Sequence, residues 1–237
     1  MDTRFWGPDG WKLFHSIVAG YPNKPTVNDK YIYGCFFKCL RFVLPCIYCR
    51  ISFKEYGEKL PIDNYLDSKD KLCKWLYDIH NLVNNKLRNQ GFLHEEDPKY
   101  SDIYAKYNNY VAEINKSNCT HMPGWDFIYC IYFNYPEKFD EDALERIVGY
   151  AQFLLVLPHV LPFISAKNAI LSFKYNLSEN LMSRDKAKEL IYYMEKHVKD
   201  SINCNCISFS KRCTIIENYR AGCKKNKDGA GTCRKNT

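Results

Sequence analysis

The residues Cys46-Ile47-Tyr48-Cys49 hold the most reactive pair of side chains that the sequence sets close together. Pro45 places Cys46 at or near a helix start, because proline suits the first turn. A Cys-x-x-Cys there brings two sulfurs together across one turn, and the helix dipole lowers the pKa of the first thiol. Such a pair can form and break a disulfide, with Cys46 as the exposed, attacking sulfur and Cys49 one turn in. The same spacing serves zinc, and Cys35 and Cys39 stand near enough in sequence to serve as further ligands. Those two also lie one turn apart in an apolar stripe, where cysteines are ordinary core residues. The motif alone therefore leaves a redox dithiol, a metal site and buried structural thiols all open.

Helical spacing dominates the elements that must position this pair. Trp11, Phe14, His15 and Val18 form a first stripe, entered after Pro8-Asp9 and ended by Tyr21-Pro22. Residues 28–43 form a second, and Gly57 closes a short third helix begun near Cys46. Ser68 caps a long helix that carries Leu72, Trp75, Leu76, Ile79, Val83 and Leu87 on one face. Ser101 caps a short, tyrosine-rich one. No run of alternating strands occurs, so the fold is expected to be all-α.

The chain has 237 residues, 12 of them cysteine, and 46% are apolar, which excludes wholesale disorder. No apolar stretch is long enough to span a membrane. The N-terminus lacks a basic-then-apolar leader, so a cytoplasmic location is expected. Cytosolic chains rich in cysteine are more often metal-binding or redox-active than disulfide scaffolds. Most of the +7 net charge falls in residues 211–237, which argues against a globular nucleic-acid-binding face.

A weak internal repeat crosses the chain. Gly10-Trp11 running to Tyr21-Pro22 recurs as Gly124-Trp125 running to Tyr135-Pro136. Leu44-Pro45-Cys46-Ile47-Tyr48-Cys49 meets Leu157-Pro158-His159-Val160-Leu161-Pro162, and a helix begun at Ser183 answers the one begun at Ser68. The second copy has lost both cysteines of the first. His159 and His121 lack the carboxylate or cysteine spacing that a metal site needs, so none is expected there.

Three motifs agree in order: Trp6-Gly7-Pro8 with Trp11 and His15, then Leu44-Pro45-Cys46-x-x-Cys49-Arg50 with Phe53, then His80-Asn81-Leu82-Val83-Asn84-Asn85-Lys86-Leu87. Over residues 4–113 this resembles the Erv/ALR family of FAD-linked sulfhydryl oxidases, most of all its members from large DNA viruses. The resemblance implies a helical bundle gripping FAD through Gly7, Trp11, His15, Cys49, His80, Asn81, Val83, Asn84 and Leu87. It implies that Cys46 and Cys49 pass electrons from protein thiols, thioredoxin-like carriers among them, to FAD and then to O2, giving H2O2. The opposing reading is a zinc-binding or scaffold module without catalysis. Arg88-Asn89 stands where the family usually has Gly-Lys, which leaves one FAD phosphate contact open. Arg88 is the candidate substitute, though it faces the wrong way on its helix.

The resemblance also suggests a shuttle role for Cys204 and Cys206, since some members carry such a pair. The expected organisation is an oxidase domain over 1–115 and a helical domain over 120–203, a degenerate copy that binds no FAD. A mobile basic tail over 204–237 follows, in which Cys213, Cys223 and Cys233 are alternative partners for Cys204 and Cys206. Because family domains pair through their first two helices, a homodimer or an intrachain pseudo-dimer is expected. A viral member would act in host cytoplasm or virion.

Overall fold

The computed structural model describes residues 1–117, 122–137, 141–222, 224–225 and 231–233. It is helical almost throughout. Helices α1 (Thr3–Ala19), α2 (Val27–Val43), α3 (Ile47–Lys59), α4 (Lys69–Asn89) and α5 (Tyr100–Lys116) build the first half, with a 3-10 turn at Ile62–Tyr65. Helices α6 (Trp125–Phe133), α7 (Glu141–Val160), α8 (Ile164–Ser172), α9 (Leu177–Asn180) and α10 (Arg184–Ser201) build the second. Helix α11 (Phe209–Asn218) and the two-residue strands β1 (Lys224–Lys225) and β2 (Gly231–Thr232) follow, the strands pairing antiparallel. No helix among the described residues is long and apolar enough to cross a membrane.

Local chemistry explains the boundaries. Asp2 accepts the Arg4 N–H and starts α1 well before Pro8, which the helix contains. The sequence had placed that start after Pro8. A capping box of Thr26 and Asp29 opens α2, and Ser68 and Ser183 cap α4 and α10 in nearly the same backbone conformation. Gly57 lies inside α3 rather than closing it. Lys99, not Ser101, precedes α5, which is as long as α1. The expected mobile tail contains α11, whose Ser208 cap accepts the Lys211 N–H. Cys213 is half-buried on that helix, and Cys223 lies outside the described residues.

The two halves meet through corresponding elements. Helix α1 packs on α6, and α2 on α7. Within the first half α1 lies on α4; within the second, α6 lies on α10. The Tyr21 hydroxyl donates to the Leu66 carbonyl at 2.8 Å, and its counterpart Tyr135 donates to that of Leu181 at 2.6 Å. Across the seam, a Cβ on Gly10 would meet Phe127 at 3.0 Å, while one on Gly124 would meet Leu13 at 2.6 Å. Gly124 stands to Gly10 as Phe127 stands to Leu13, so the contact is reciprocal. Gly124 also holds φ at 101°, a conformation that suits glycine. Beside it, the Asp9 carboxylate of α1 accepts the N–H groups of Gly124 and Asp126 at 2.9 and 3.0 Å, satisfying open donors at the start of α6.

Candidate functional site

A cavity of about 490 Å³ opens among α1, α3 and α4. That volume lies in the range of small-molecule sites. Helix α1 contributes Trp6, Gly7 and Trp11, and α4 contributes His80, Val83, Asn84, Lys86 and Leu87. The α4 residues share one face because most of them stand three or four apart. Cys46, Tyr48, Cys49, Ser52 and Phe53 come from the start of α3, Tyr107 from α5, and Cys233 from the C-terminal segment.

Aromatic planes shape the wall. Trp11 stacks on His80 with ring centroids 3.8 Å apart and planes within 11°. His15 stacks on Tyr107 at 4.8 Å, and its Nε2 stands 3.0 Å from His80 Nδ1. Burial pushes the His15 pKa down to about 3, with the neighbouring His80 and Lys106 adding to it. Burial likewise takes His80 down to about 4. Both rings are therefore neutral near pH 7, and one proton lies on the line between them. If His15 donates it, the other nitrogen of His80 carries a hydrogen and is a donor; if His80 donates, that nitrogen is an acceptor.

Polar groups on the wall are few. The Trp6 indole N–H is buried without a partner among the described residues. Asn84 Nδ2 donates to Asp97 at 2.7 Å, and Lys86 Nζ donates to Ser52 Oγ at 2.7 Å. Arg88 turns away: its guanidinium pairs with Asp97, Asn85 and the Glu95 carbonyl. That removes Arg88 as a stand-in for the missing family lysine and leaves Lys86 as the α4 cation on the cavity wall.

The two thiols are electrostatically distinct. Cys46 is the N-cap of α3. A hydrogen bond from Cys49 is the largest influence holding its pKa down to about 7; burial opposes this, and the N–H groups of Cys49 and Tyr48 assist. Cys49 moves well above the ordinary thiol value, because it supplies that hydrogen bond and is itself desolvated. Of the two, Cys46 is the thiol that ionises first and Cys49 the one that keeps its proton. Exposure is reversed, however. Cys46 is only 1% exposed and Cys49 is half-buried, because Cys233 Sγ lies 2.7 Å from Cys46 Sγ.

Of the residues singled out in the sequence, Gly7, Trp11, Cys46, Cys49, His80, Val83, Asn84 and Leu87 line the cavity. His15 stands behind His80, and Asn81 is half-buried off the wall. Cys204 and Cys206 are half-buried beyond α10 and do not line it. Cys39 is a core residue on α2, and among the described residues no three metal-binding side chains converge. Sequence reasoning missed Tyr107, whose only signal was a tyrosine-rich helix, and Asp97, which had none.

Two thiols beside a cavity walled by stacked flat rings make a built ligand site in a helical protein. Residues 8–104 match the Erv1 / Alr family model. The chain is 45% identical over 85 residues to the "Probable FAD-linked sulfhydryl oxidase R368" of Acanthamoeba polyphaga mimivirus, covering 35% of this chain and 59% of that protein. It is 34% identical over 92 residues to the "Mitochondrial FAD-linked sulfhydryl oxidase ERV1" of Saccharomyces cerevisiae, covering 38% and 47%. The chain thus spans about half the length of these curated relatives. The crystal structure of the yeast Erv1 core aligns with a TM-score of 0.41 at 26% identity, over 46% of this chain and 86% of that one.

Proposed function

We propose that this chain is a FAD-dependent thiol oxidase that forms disulfides in protein substrates. The observation that carries this reading is the Cys46/Cys49 pair set in the wall of a cavity built from Trp11, His80 and Tyr107. The cavity suits a flat, partly polar group: stacked rings offer faces, while the unpartnered Trp6 N–H and the Lys86 ammonium offer a donor and a charge. Gly7, Trp11, His80, Val83, Asn84 and Leu87 would hold FAD there. His15 fixes the His80 ring from behind, while Asn81, off the wall, is not placed to touch the group. When bound, FAD takes an electron pair from the thiols and returns it to O2, giving H2O2.

The chain's own residues perform the exchange. A thiolate attacks the Cys46–Cys49 disulfide at Cys46, and Cys49 leaves with the electron pair of the broken bond. A second thiol then attacks the mixed disulfide and releases Cys46, whose low pKa makes it a good leaving group. Cys49, on the cavity wall, is the sulfur placed to hand electrons onward. Thioredoxin-like carriers are suitable donors, since they present a paired dithiol.

The test is the visible spectrum of the purified protein before and after a dithiol is added without oxygen. A flavin spectrum that bleaches, then returns in air, is expected, and Cys49→Ser abolishes the bleaching. A colourless protein that takes up no added FAD refutes the reading.

We infer further that the second half is a degenerate copy of the first, held as an intrachain pseudo-dimer. The pairing of α1 with α6 and α2 with α7, the twin tyrosine bonds and the reciprocal glycine contacts support it. In that copy Tyr129 and Glu195 stand where His15 and His80 stand in the first. Their side chains are hydrogen-bonded at 2.6 Å. Arg212 of α11 lies over the Tyr129 ring at 4.6 Å and pairs with Glu195 at 2.7 Å. A buried ionic cluster thus takes the place of a ligand site, and one FAD per chain follows. His197, near the expected motif position, instead contacts Ser172.

A further inference from the structure

The chain turns back at the end of α4 and runs along that helix. Gly91 holds φ at 70°, a left-handed conformation that glycine accepts, and the Phe92 N–H donates to the Leu87 carbonyl at 2.9 Å. Residues 92–98 then return beside α4 and are tied to it in descending order. Arg88 Nε donates to the Glu95 carbonyl at 3.0 Å, Asn84 Nδ2 donates to Asp97 Oδ1 at 2.7 Å, and the Tyr77 hydroxyl donates to the Pro98 carbonyl at 2.8 Å. Positions 77, 84 and 88 share one side of the helix, since they stand seven and four apart. Arg88 Nη2 donates to Asp97 Oδ1 as well, so Asn84 and Arg88 hold one carboxylate oxygen between them. Arg88 Nη1 is itself steadied by Asn85 at 2.6 Å.

We propose that Asp97, held in turn by Arg88, is a positioning residue for the cofactor: it fixes the Asn84 amide so that its oxygen, not its nitrogen, receives an N–H group of FAD. This rests on the thiol-oxidase reading, which names FAD as the occupant of the cavity. An ionised carboxylate accepts hydrogen bonds and cannot donate them, so the Asn84 nitrogen must face Asp97. Turning the planar amide over would set its oxygen against a carboxylate oxygen at 2.7 Å. Burial works against the charge on Asp97, but the hydrogen bonds from Arg88 and Asn84 outweigh it and hold the carboxyl below its ordinary value of 3.8. The carboxylate is therefore ionised at neutral pH. Asn84 lines the cavity, whereas Asp97 and Arg88 do not, so both act through Asn84. The Trp6 N–H and the Lys86 ammonium on the same wall are donors. Asn84 held in this way adds an acceptor to them, and a ligand that offers only acceptors would leave it unsatisfied.

Exchanging the two partners tests this on the full-length holoprotein, with FAD release after dilution followed by the rise in flavin fluorescence. A wild type that carries no flavin and takes none up refutes the oxidase reading itself, and this inference with it. Asn84→Asp sets two carboxylates against each other and is expected to speed release by at least about 10-fold. Adding Asp97→Asn puts a donor back on the loop: the introduced amide bonds the introduced carboxylate, which still presents an oxygen to the cavity. The double variant should release FAD within about 3-fold of the wild-type rate. A double variant as fast as Asn84→Asp alone overturns the proposal, because the cofactor then needs the Asn84 N–H. Asn84→Leu, similar in size but unable to accept, should release FAD fast with or without Asp97→Asn. Release from Asn84→Leu at the wild-type rate also overturns the proposal, since the amide then receives nothing from FAD. Where Asn84→Asp keeps no flavin through purification, the flavin-to-protein absorbance ratio decides instead, with recovery in the double variant expected and its absence overturning the assignment.

Discussion

At the scale of single residues, the site works by dividing labour between two like groups. Cys46 and Cys49 are chemically the same, yet one hydrogen bond and the α3 N-terminus make the first the easier to ionise and the second the proton holder. Titrating the reduced protein by ultraviolet thiolate absorbance should therefore reveal one thiol that ionises near pH 7. Cys49→Ala should move that midpoint up towards the ordinary value of 9.0, because it removes the largest stabilising contact. The sign for stability follows. A thiol whose folded pKa lies below its unfolded value adds stability above the unfolded value and loses it as the pH falls through the folded one. The reduced form should accordingly be less stable below pH 7 than above it, and Cys49→Ala should flatten that slope. This much was legible beforehand, since helix position and spacing are local properties. Burial of Cys46 was not. Its cover comes from a residue 187 positions away, and no local pattern carries such a distance.

At the scale of elements, the capped helices were the readable ones. Ser68 and Ser183 announce α4 and α10 because a cap is a side chain bonding its own backbone. Pro8 misdirected the start of α1, since proline ordinarily opens a helix and here lies within one. Helix α11 falls in the stretch whose basic, Gly- and Lys-rich composition pointed to a mobile tail, and only Arg212 and Ile216 of it are buried. Its anchor is electrostatic instead. Arg212 joins Asp126 at 2.9 Å and Glu195 at 2.7 Å, and Lys199 also reaches Glu195 at 2.7 Å. Arg212→Ala takes away the only cation that α11 brings to this cluster. A cost of about 3 kcal/mol is expected, as for a broken buried ion pair, and urea unfolding measures it. Because α11 leads into the segment over Cys46, the same variant should expose Cys46 to alkylation sooner than the wild type.

At the scale of the whole molecule, the seam between the halves packs α1 on α6 and α2 on α7. The chain should behave as a monomer by light scattering, with one flavin per chain by absorbance. A stable dimer, or two flavins per chain, contradicts the pseudo-dimer. The matching Trp, Tyr-Pro and Ser positions could be read in the sequence, but not how the two halves meet. That required seeing Gly10 against Phe127 and Gly124 against Leu13.

This pair of contacts bears on how such a protein can change over generations. In a dimer of identical subunits, each substitution at the seam appears on both sides at once, so each interface position must fit its twin. Here the two sides are separate stretches of one gene, and a small residue opposite a large one can be altered on either side alone. Phe127 can face Gly10 while Leu13 faces Gly124, an asymmetry closed to a homodimer. The same freedom accommodates an ionic cluster around Glu195 in one half and a histidine pair with a cavity in the other.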